Sequence, residues 1–264
     1  MVDLVGKAHY DVSDLRRIVA ILRAPGGCQW DGEQTHASLR RNLLEEAYEV
    51  VETIDEGSTE HLKEELGDVL LQVVFHASIE EDAGRFDLDA VADGVCRKLI
   101  YRHPHVFGDV KVGSTDEILS NWEELKKAEK GQQTQADAVD AVARSLPALW
   151  RAEKVQKKAA KVGFDWPDVS GALDKLDEEI AEVRAAAAGD GDVTEELGDL
   201  LFSAVNAARF LHVDPEMALH AASDKFAARF RLVEQEVLRR GQQMDELPLS
   251  ELDAIWDQIK HQAT

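Results

Sequence analysis

The chain has 264 residues, of which 44% are hydrophobic and 31% charged, and its formal net charge is −22. This length and apolar content suffice for one large domain or two of ordinary size. The negative charge argues against a nucleic-acid backbone or an anionic membrane surface as a partner. The 2 cysteines are too few for a disulfide framework, and the first residues lack a signal-peptide pattern, so we expect a cytoplasmic protein with reduced thiols.

Hydrophobic spacing predicts a series of helices, and no segment alternates with the period of two that is typical of a strand. In the first half we expect helices over residues 12–22, 38–56, 59–82, 88–102 and 115–130. In the second half we expect them over residues 145–162, 171–188, 194–212, 215–240 and 250–260, the last of them capped by Ser250. The predicted fold class is therefore all-α, with two homologous helical-bundle halves.

A polar stretch without periodicity separates the two halves. It predicts an N-terminal domain over residues 1–130, a linker over 131–144 and a C-terminal domain over 145–264. Residues 28–31 and 164–167 contain tryptophan in polar surroundings and are predicted to be loops. We interpret Trp30 as a hydrophobic anchor for its loop in preference to a functional lip.

A pattern of acidic residues is written twice along the chain. The letters EELGD occur in both halves, and each copy follows a helical segment that contains E-E-x-x-E. Residues three or four apart share a helix face, so each helix presents a pair of carboxylates. The pairs are Glu179 with Glu182 and Glu196 with Asp199 in the second half, and Glu46 with Glu49 and Glu65 with Asp68 in the first.

Two such helices packed side by side would point four carboxylates into one space. Like charges and desolvation raise the pKa of each carboxyl group unless a cation compensates them. Mg²⁺ is the hard, oxygen-preferring cation that suits such a site. A single acidic pair on a helix is usually a solvated face, but the duplication of five identical letters favours a shared function.

Each half also carries cations and an aromatic residue at matching places. The pattern K-x-x-x-R occurs as Lys98 and Arg102 and again as Lys225 and Arg229. The pattern W-x-x-x-K occurs as Trp122 and Lys126 and again as Trp256 and Lys260. Carboxylates that hold Mg²⁺, beside lysine and arginine that neutralise phosphate, suit hydrolysis of a phosphoanhydride bond in a two-metal site. A P-loop and the paired Glu-x-x-His of a di-iron bundle are missing from the sequence.

These motifs resemble those of the MazG family of nucleoside triphosphate pyrophosphohydrolases in its two-domain form. The resemblance runs nearly end to end, through GGCQWDGEQT, LLEEAYEV, EELGDVLLQVVF, YRHPHVFGD, RSLPALWRAEKVQKKAAKVGFDW, LDEEIAEV and EELGDLLF. It implies an all-helical homodimer that needs Mg²⁺, with Mn²⁺ as a substitute. It also implies hydrolysis of NTPs or dNTPs to the monophosphate and pyrophosphate.

Carried over position by position, the resemblance implies a principal site in the C-terminal half. The catalytic metal ligands would be Glu179, Glu182, Glu196 and Asp199. The substrate contacts would be Lys175, Glu178, Glu195, Lys225, Arg229, Trp256 and Lys260. A second site in the N-terminal half would use Glu46, Glu49, Glu65, Asp68, Lys98 and Arg102.

Two departures bear on these assignments. Some family members have a lysine seven residues before the aspartate of the C-terminal E-x-x-D, where this chain has Asp192. The N-terminal copy has Asn42 at the place of Lys175, which favours the C-terminal site. The alternatives are that one or both halves are non-catalytic modules for nucleotide binding or dimerisation, or that the protein is a helical scaffold with solvated acidic faces.

Overall fold

The computed structural model describes residues 4–129 and 134–262, and the regular secondary structure in these ranges is entirely helical. The predicted all-α class is confirmed. The chain divides into two compact units, Met1–Lys126 and Lys127–Thr264. In the described ranges, none of the helices has the length and apolar content needed to cross a membrane.

Within the described residues, the first unit contains six helices and most of a seventh, which continues to Glu129. They are α1 (Val12–Arg23), α2 (Gln29–Glu33), α3 (His36–Glu56), α4 (Thr59–Asp82), α5 (Leu88–Arg102), α6 (Pro104–Phe107) and α7 (Thr115–Glu129). Helices α3 and α4 pack along each other, and α1 packs on α4. Their core is formed by Val19, Leu39, Val74 and Phe75, so one apolar stripe of each helix faces the others.

The second unit contains the remaining helices of the described ranges. They are α8 (Gln135–Asp140), α9 (Ala148–Ala160), α10 (Val169–Ala187), α11 (Val193–Phe210), α12 (Pro215–Arg239) and α13 (Leu249–Gln262), with a 3₁₀ turn at Met244–Glu246. Helices α10 and α11 form a hairpin, α9 packs on α11, and α13 packs on α12. Buried Val233, Val237 and Ile255 hold the α12 and α13 pair together.

Local capping explains where the long helices begin and end. Thr35 caps α3 through a reciprocal pair of hydrogen bonds with Ser38, and Gly57 ends α3 with a left-handed φ of 68°. Asp192 caps α11, because its Oδ1 accepts from the backbone N–H of Thr194 at 2.8 Å. The residue that departs from the family pattern therefore has a structural role at the start of an acid-bearing helix.

Three short helices, α2, α6 and α8, lie where the sequence predicts no helix. Helix α2 follows a turn in which the backbone of Cys28 donates to Leu22 O at 2.7 Å. A Cβ on Gly27 would lie 2.3 Å from Ile21 O, so only glycine fits this close approach. Helix α6 starts at Pro104, which favours the first turn of a helix.

Other expectations about the loops also need correction. Trp30 lies on α2 and is 60% exposed, so it does not serve as a buried anchor. Ser250 lies within α13, which begins at Leu249, and so does not precede the helix as its cap. The linker over residues 131–144 stays a prediction, and within it lies α8, where Thr134 and Asp137 form a capping box and Ala138 is buried. Residues 131–133 of that segment lie outside the described ranges.

A polar cluster around buried Glu80 joins the beginning of α3 to the end of α4. Glu80 is 8% exposed and accepts a hydrogen bond from His36 Nε2 at 2.5 Å. The guanidinium of Arg85 donates to both oxygens of the same carboxylate. These partners lower the pKa of Glu80 to about 2, with Arg85 as the largest cause and His36 next. His36 also stacks on His76, whose pKa is lowered by burial and by His36.

Candidate active site

The hairpin of α10 and α11 brings three of the four predicted C-terminal metal ligands together. Carboxylate oxygens of Glu179, Glu196 and Asp199 all lie within 4.8 Å of one another. Glu179 is only 3% exposed, while Asp199 is exposed to solvent. One end of the cluster is therefore buried against the helices, and the other is open to a ligand.

Only one of the two carboxylate oxygens of Glu179 has a partner among the described residues. Its Oε1 lies 2.7 Å from Lys175 Nζ, one helical turn earlier on α10. Its Oε2 is buried and has no hydrogen-bond partner among the described residues. A buried carboxylate oxygen without a partner is costly, and a bound cation is one way to remove that cost.

The fourth predicted ligand, Glu182, lies beside this trio on α10. Burial raises the pKa of Glu182, while Lys175 lowers it and Glu179 raises it. Glu182 is thus an electrostatic neighbour of Glu179 but does not belong to the closest trio of carboxylates. The site is thus rich in negative charge that a divalent cation would neutralise.

The positive charge of Lys175 partly neutralises the negative charge of this site. Its Nζ also lies 2.9 Å from Glu178 Oε1, and the two carboxylates raise the pKa of Lys175 well above its usual range. Glu178 and Glu195 are exposed on the outer faces of α10 and α11. Of these two predicted substrate contacts, Glu178 is engaged with Lys175 in the structure.

The hairpin of α3 and α4 in the first unit holds the corresponding cluster. Carboxylate oxygens of Glu46, Glu49 and Glu65 lie within 4.8 Å of one another. Burial and then Asp68 raise the pKa of Glu46, and burial and then Glu49 raise that of Glu65. Asn42 lies where the other copy has Lys175, so this cluster lacks the corresponding cation on its own helix.

The cationic side chains and the tryptophan that the sequence analysis assigned to substrate binding lie on α12 and α13. Arg229 of α12 lies over the ring of Trp256 of α13, with 6.0 Å from its guanidinium carbon to the ring centroid. Phe226 packs against the same ring at 5.2 Å between centroids. Lys225 and Lys260 are exposed on these two helices. The structure thus joins Arg229 with Trp256, and packing against Phe226 and the core accounts for part of the tryptophan surface.

The first unit repeats this relationship. Arg102 lies over the ring of Trp122 at 5.4 Å, and Lys126 lies over the same ring at 4.9 Å. Arg102 is buried, whereas Lys98 is exposed on the preceding turn of α5. The duplication visible in the letters therefore extends to a pair of side chains that contact each other in both units.

Comparison with known proteins agrees with these features. The family model described as the MazG nucleotide pyrophosphohydrolase domain matches residues 34–107. The nucleoside triphosphate pyrophosphohydrolase/pyrophosphatase MazG of Thermotoga maritima is 45% identical over 94% of this chain and 94% of its own length. The nucleoside triphosphate pyrophosphohydrolase of Escherichia coli K12 is 44% identical over 95% of this chain and 97% of its own.

A further relative extends the similarity to a protein of different size. The uncharacterized protein YabN of Bacillus subtilis is 46% identical over 96% of this chain, which covers 52% of YabN. The first two relatives match both halves of this chain at well over 30% identity. With its duplicated acidic helices and its all-α fold, this chain belongs to the MazG family.

Proposed function

We propose that this protein hydrolyses nucleoside triphosphates, NTPs or dNTPs, to the monophosphate and pyrophosphate, and so clears or regulates nucleotide pools. The observation that carries the proposal is the cluster of Glu179, Glu196 and Asp199 with the unpartnered Oε2 of Glu179. Full-length relatives that are named for this activity support it.

The donor set of the cluster fits Mg²⁺. It consists of carboxylate oxygens, which this hard cation prefers, and one of them, Glu179 Oε2, has no hydrogen-bond partner within residues 4–129 and 134–262. Glu179, Glu182, Glu196 and Asp199 would hold the metal, two ions per site, with Mn²⁺ as a substitute. When bound, the metal would polarise the phosphoryl group and lower the pKa of a bound water.

Other side chains would bind the phosphates and the nucleoside and would fix the start of α11. Lys175 is held by Glu179 and Glu178, and its ammonium group would neutralise phosphate charge. Lys225, Arg229 and Lys260 would neutralise phosphate charge, and Trp256 would contact the nucleoside. Asp192 would keep α11 in register at its N-terminus, because it satisfies a backbone N–H there.

Product analysis tests this function directly. The protein is incubated with ATP and with dCTP in the presence of Mg²⁺, and the products are identified by phosphorus NMR. Glu179→Gln and Asp199→Asn should each reduce turnover at least about 100-fold, because they remove a metal ligand. Glu234→Gln, an exposed change on α12, is the matched control and should keep the parental rate. Orthophosphate as the product would mean that the wrong bond is assigned.

A second catalytic site in the N-terminal half is the next candidate. The cluster of Glu46, Glu49 and Glu65 and the match of the family model to residues 34–107 favour it. The variant Glu46→Gln, alone and combined with Glu179→Gln, distinguishes one catalytic site from two. Activity lost with Glu179→Gln alone would make the N-terminal half a non-catalytic module, whereas activity that falls only in the double variant would require two working sites.

We also propose that the protein is a cytoplasmic homodimer of two-domain chains. Large apolar side chains are exposed on the helices of the single chain, among them Leu66 at 51%, Leu201 at 57% and Phe226 at 58%. Burial of these side chains against a second copy of the chain would remove their apolar surface from water. Sedimentation velocity should give the mass of a dimer, and a mass that stays at 29.3 kDa at all concentrations would exclude it.

A further inference from the structure

Two histidines of the first unit face each other where α3 begins and α4 approaches its end. Nδ1 of His36 lies 2.8 Å from Nδ1 of His76, and the two rings are nearly parallel, with 5.0 Å between their centroids. His36 precedes Glu46 by ten residues along α3, which corresponds to a rise of about 15 Å. The pair is therefore distinct from the acidic cluster of this unit, and neither histidine has a role in the proposed hydrolysis.

Glu80 fixes the tautomer of His36. Nε2 of His36 lies 2.5 Å from Glu80 Oε1, and Arg85 donates to both oxygens of the same carboxylate. Because Arg85 and then His36 lower the pKa of Glu80 to about 2, this carboxylate is ionised at neutral pH and can only accept hydrogen bonds. The proton of neutral His36 is therefore on Nε2, and its lone pair is left on Nδ1, the atom that faces His76.

The contact between the two Nδ1 atoms can be held in two ways. At most one proton fits between two ring nitrogens, so the contact is either an N–H···N hydrogen bond or a cation that both nitrogens bind. Metals bind the neutral form of imidazole, and burial and then His36 lower the pKa of His76, which favours that form. A carboxylate that accepts from the far nitrogen, as Glu80 does for His36, also orients a metal-binding histidine and raises its basicity.

A further donor shares the face of α4 that carries these side chains. Gln72 precedes His76 by one helical turn, as His76 precedes Glu80. Gln72 is 6% exposed, and its Oε1 is buried without a hydrogen-bond partner among the described residues. A buried acceptor without a partner is costly, and coordination to a cation is one way to remove that cost. The side chain of His36 is 46% exposed, so an ion from the solvent can reach the pair.

We propose that His36 and His76 bind Zn²⁺, or a d-block cation of similar chemistry, through their Nδ1 atoms, with Glu80 as a positioning residue and Gln72 Oε1 and water as the remaining ligands. Imidazole nitrogen suits such cations, whereas Mg²⁺ prefers oxygen. Two Zn–N bonds of about 2.0–2.1 Å at a tetrahedral angle place the nitrogens about 3.3 Å apart, so the rings have to separate by about 0.5 Å. Rotation of the exposed ring of His36 supplies this movement. The bound ion would join the start of α3 to α4.

Titration with Zn²⁺ tests the site. The full chain is freed of metal with a chelator and titrated by calorimetry in excess Mg²⁺, which competes for the carboxylate oxygens. The parent should bind one more Zn²⁺ per chain than His36→Ala or His76→Ala does, because each variant loses one of the two nitrogen ligands. Glu80→Gln should weaken binding about tenfold, since His36 loses its carboxylate partner. The matched control is His61→Ala, an exposed histidine on the same helix α4, which should bind Zn²⁺ as the parent does.

Proton–nitrogen correlation NMR identifies the ligand atoms in the parent itself, without any substitution. Zn²⁺ should shift the Nδ1 resonances of His36 and His76 and leave Nε2 of His36 protonated. The proposal is overturned if both Nδ1 resonances stay unchanged at saturating Zn²⁺, since the pair is then a hydrogen bond only. It is also overturned if His36→Ala and His76→Ala, folded by circular dichroism, bind as much Zn²⁺ as the parent. Pyrophosphate release enters neither measurement, so failure of this site is distinguishable from failure of the proposed reaction.

Discussion

Lys175 Nζ lies 2.7 Å from Oε1 of Glu179, the most buried carboxylate of the C-terminal cluster. The ammonium group of Lys175 is therefore the cationic partner of Oε1. The other oxygen of Glu179, Oε2, has no hydrogen-bond partner among the described residues. The N-terminal cluster has Asn42 at the equivalent position, and an amide side chain cannot supply such a positive charge. We therefore expect the two clusters to differ in how strongly their stability depends on a metal.

Lys175→Met should make the C-terminal cluster more dependent on Mg²⁺. In a chelating buffer the melting temperature should fall by a few degrees, because Glu179 is left buried without a cation. Added Mg²⁺ should raise the melting temperature of the variant by more than that of the parent, since no ammonium competes for the carboxylate. Thermal-shift titrations measure both effects, with Lys225→Met on the exposed face of α12 as the control. An equal Mg²⁺ shift in parent and variant would contradict the assignment.

Glu46→Gln should stabilise the metal-free protein at neutral pH. The pKa of Glu46 is raised by burial and by Asp68, so the folded state holds this proton more tightly than the unfolded state does. The charge on Glu46 therefore costs stability above the raised pKa, and the cost disappears as the pH falls towards the ordinary carboxyl pKa of 4.5. The melting temperature of the variant should exceed that of the parent at pH 7, and the gap should close towards that pH.

Glu45→Gln is the control for this comparison. Glu45 lies next to Glu46 but is exposed and pairs with Arg41 at 2.6 Å, so its loss should give no gain in melting temperature. If Glu45→Gln and Glu46→Gln behaved alike, the raised pKa of Glu46 would have no bearing on stability.

Glu80→Gln should have the opposite dependence on pH. Arg85 and His36 lower the pKa of Glu80 to about 2, so its charge stabilises the folded state above the usual carboxyl pKa of 4.5. That contribution is lost as the pH falls through about 2. The variant should melt a few degrees below the parent at pH 7 and approach it in acid. Glu52→Gln, an exposed change on α3, should show no such trend.

Gly198→Ala tests whether the glycine of the repeated EELGD motif is needed for folding. Gly198 lies inside α11, and an added Cβ would meet no atom within 4 Å. Alanine should therefore stabilise the helix by about 0.5–1 kcal/mol, as measured by urea unfolding. Gly57→Ala should instead cost about 1 kcal/mol, because Gly57 has a left-handed φ of 68°. A loss of stability in Gly198→Ala would mean that another chain or segment packs there.

The sequence alone determined the helices, most of their ends and the acidic pairs that share one helix face. These features depend on residues a few positions apart. Apolar spacing selects the buried stripe, Thr35 and Gly57 fix the ends of α3, and Glu179 with Glu182 must project together from one turn. The repeated letters also identified the family, which the similarity of full-length relatives confirms.

The tertiary structure alone decided which of these side chains meet across helices. Nothing local to α10 requires Glu179 to lie beside Glu196 and Asp199, or α12 to bring Arg229 over Trp256. Nor does the sequence near Gln156 show that α9 borders a cleft with the loop of Phe164 and with α11. These contacts depend on how separate helices bury their apolar faces against one another, which is set by packing between distant segments and leaves no periodic signal in the sequence.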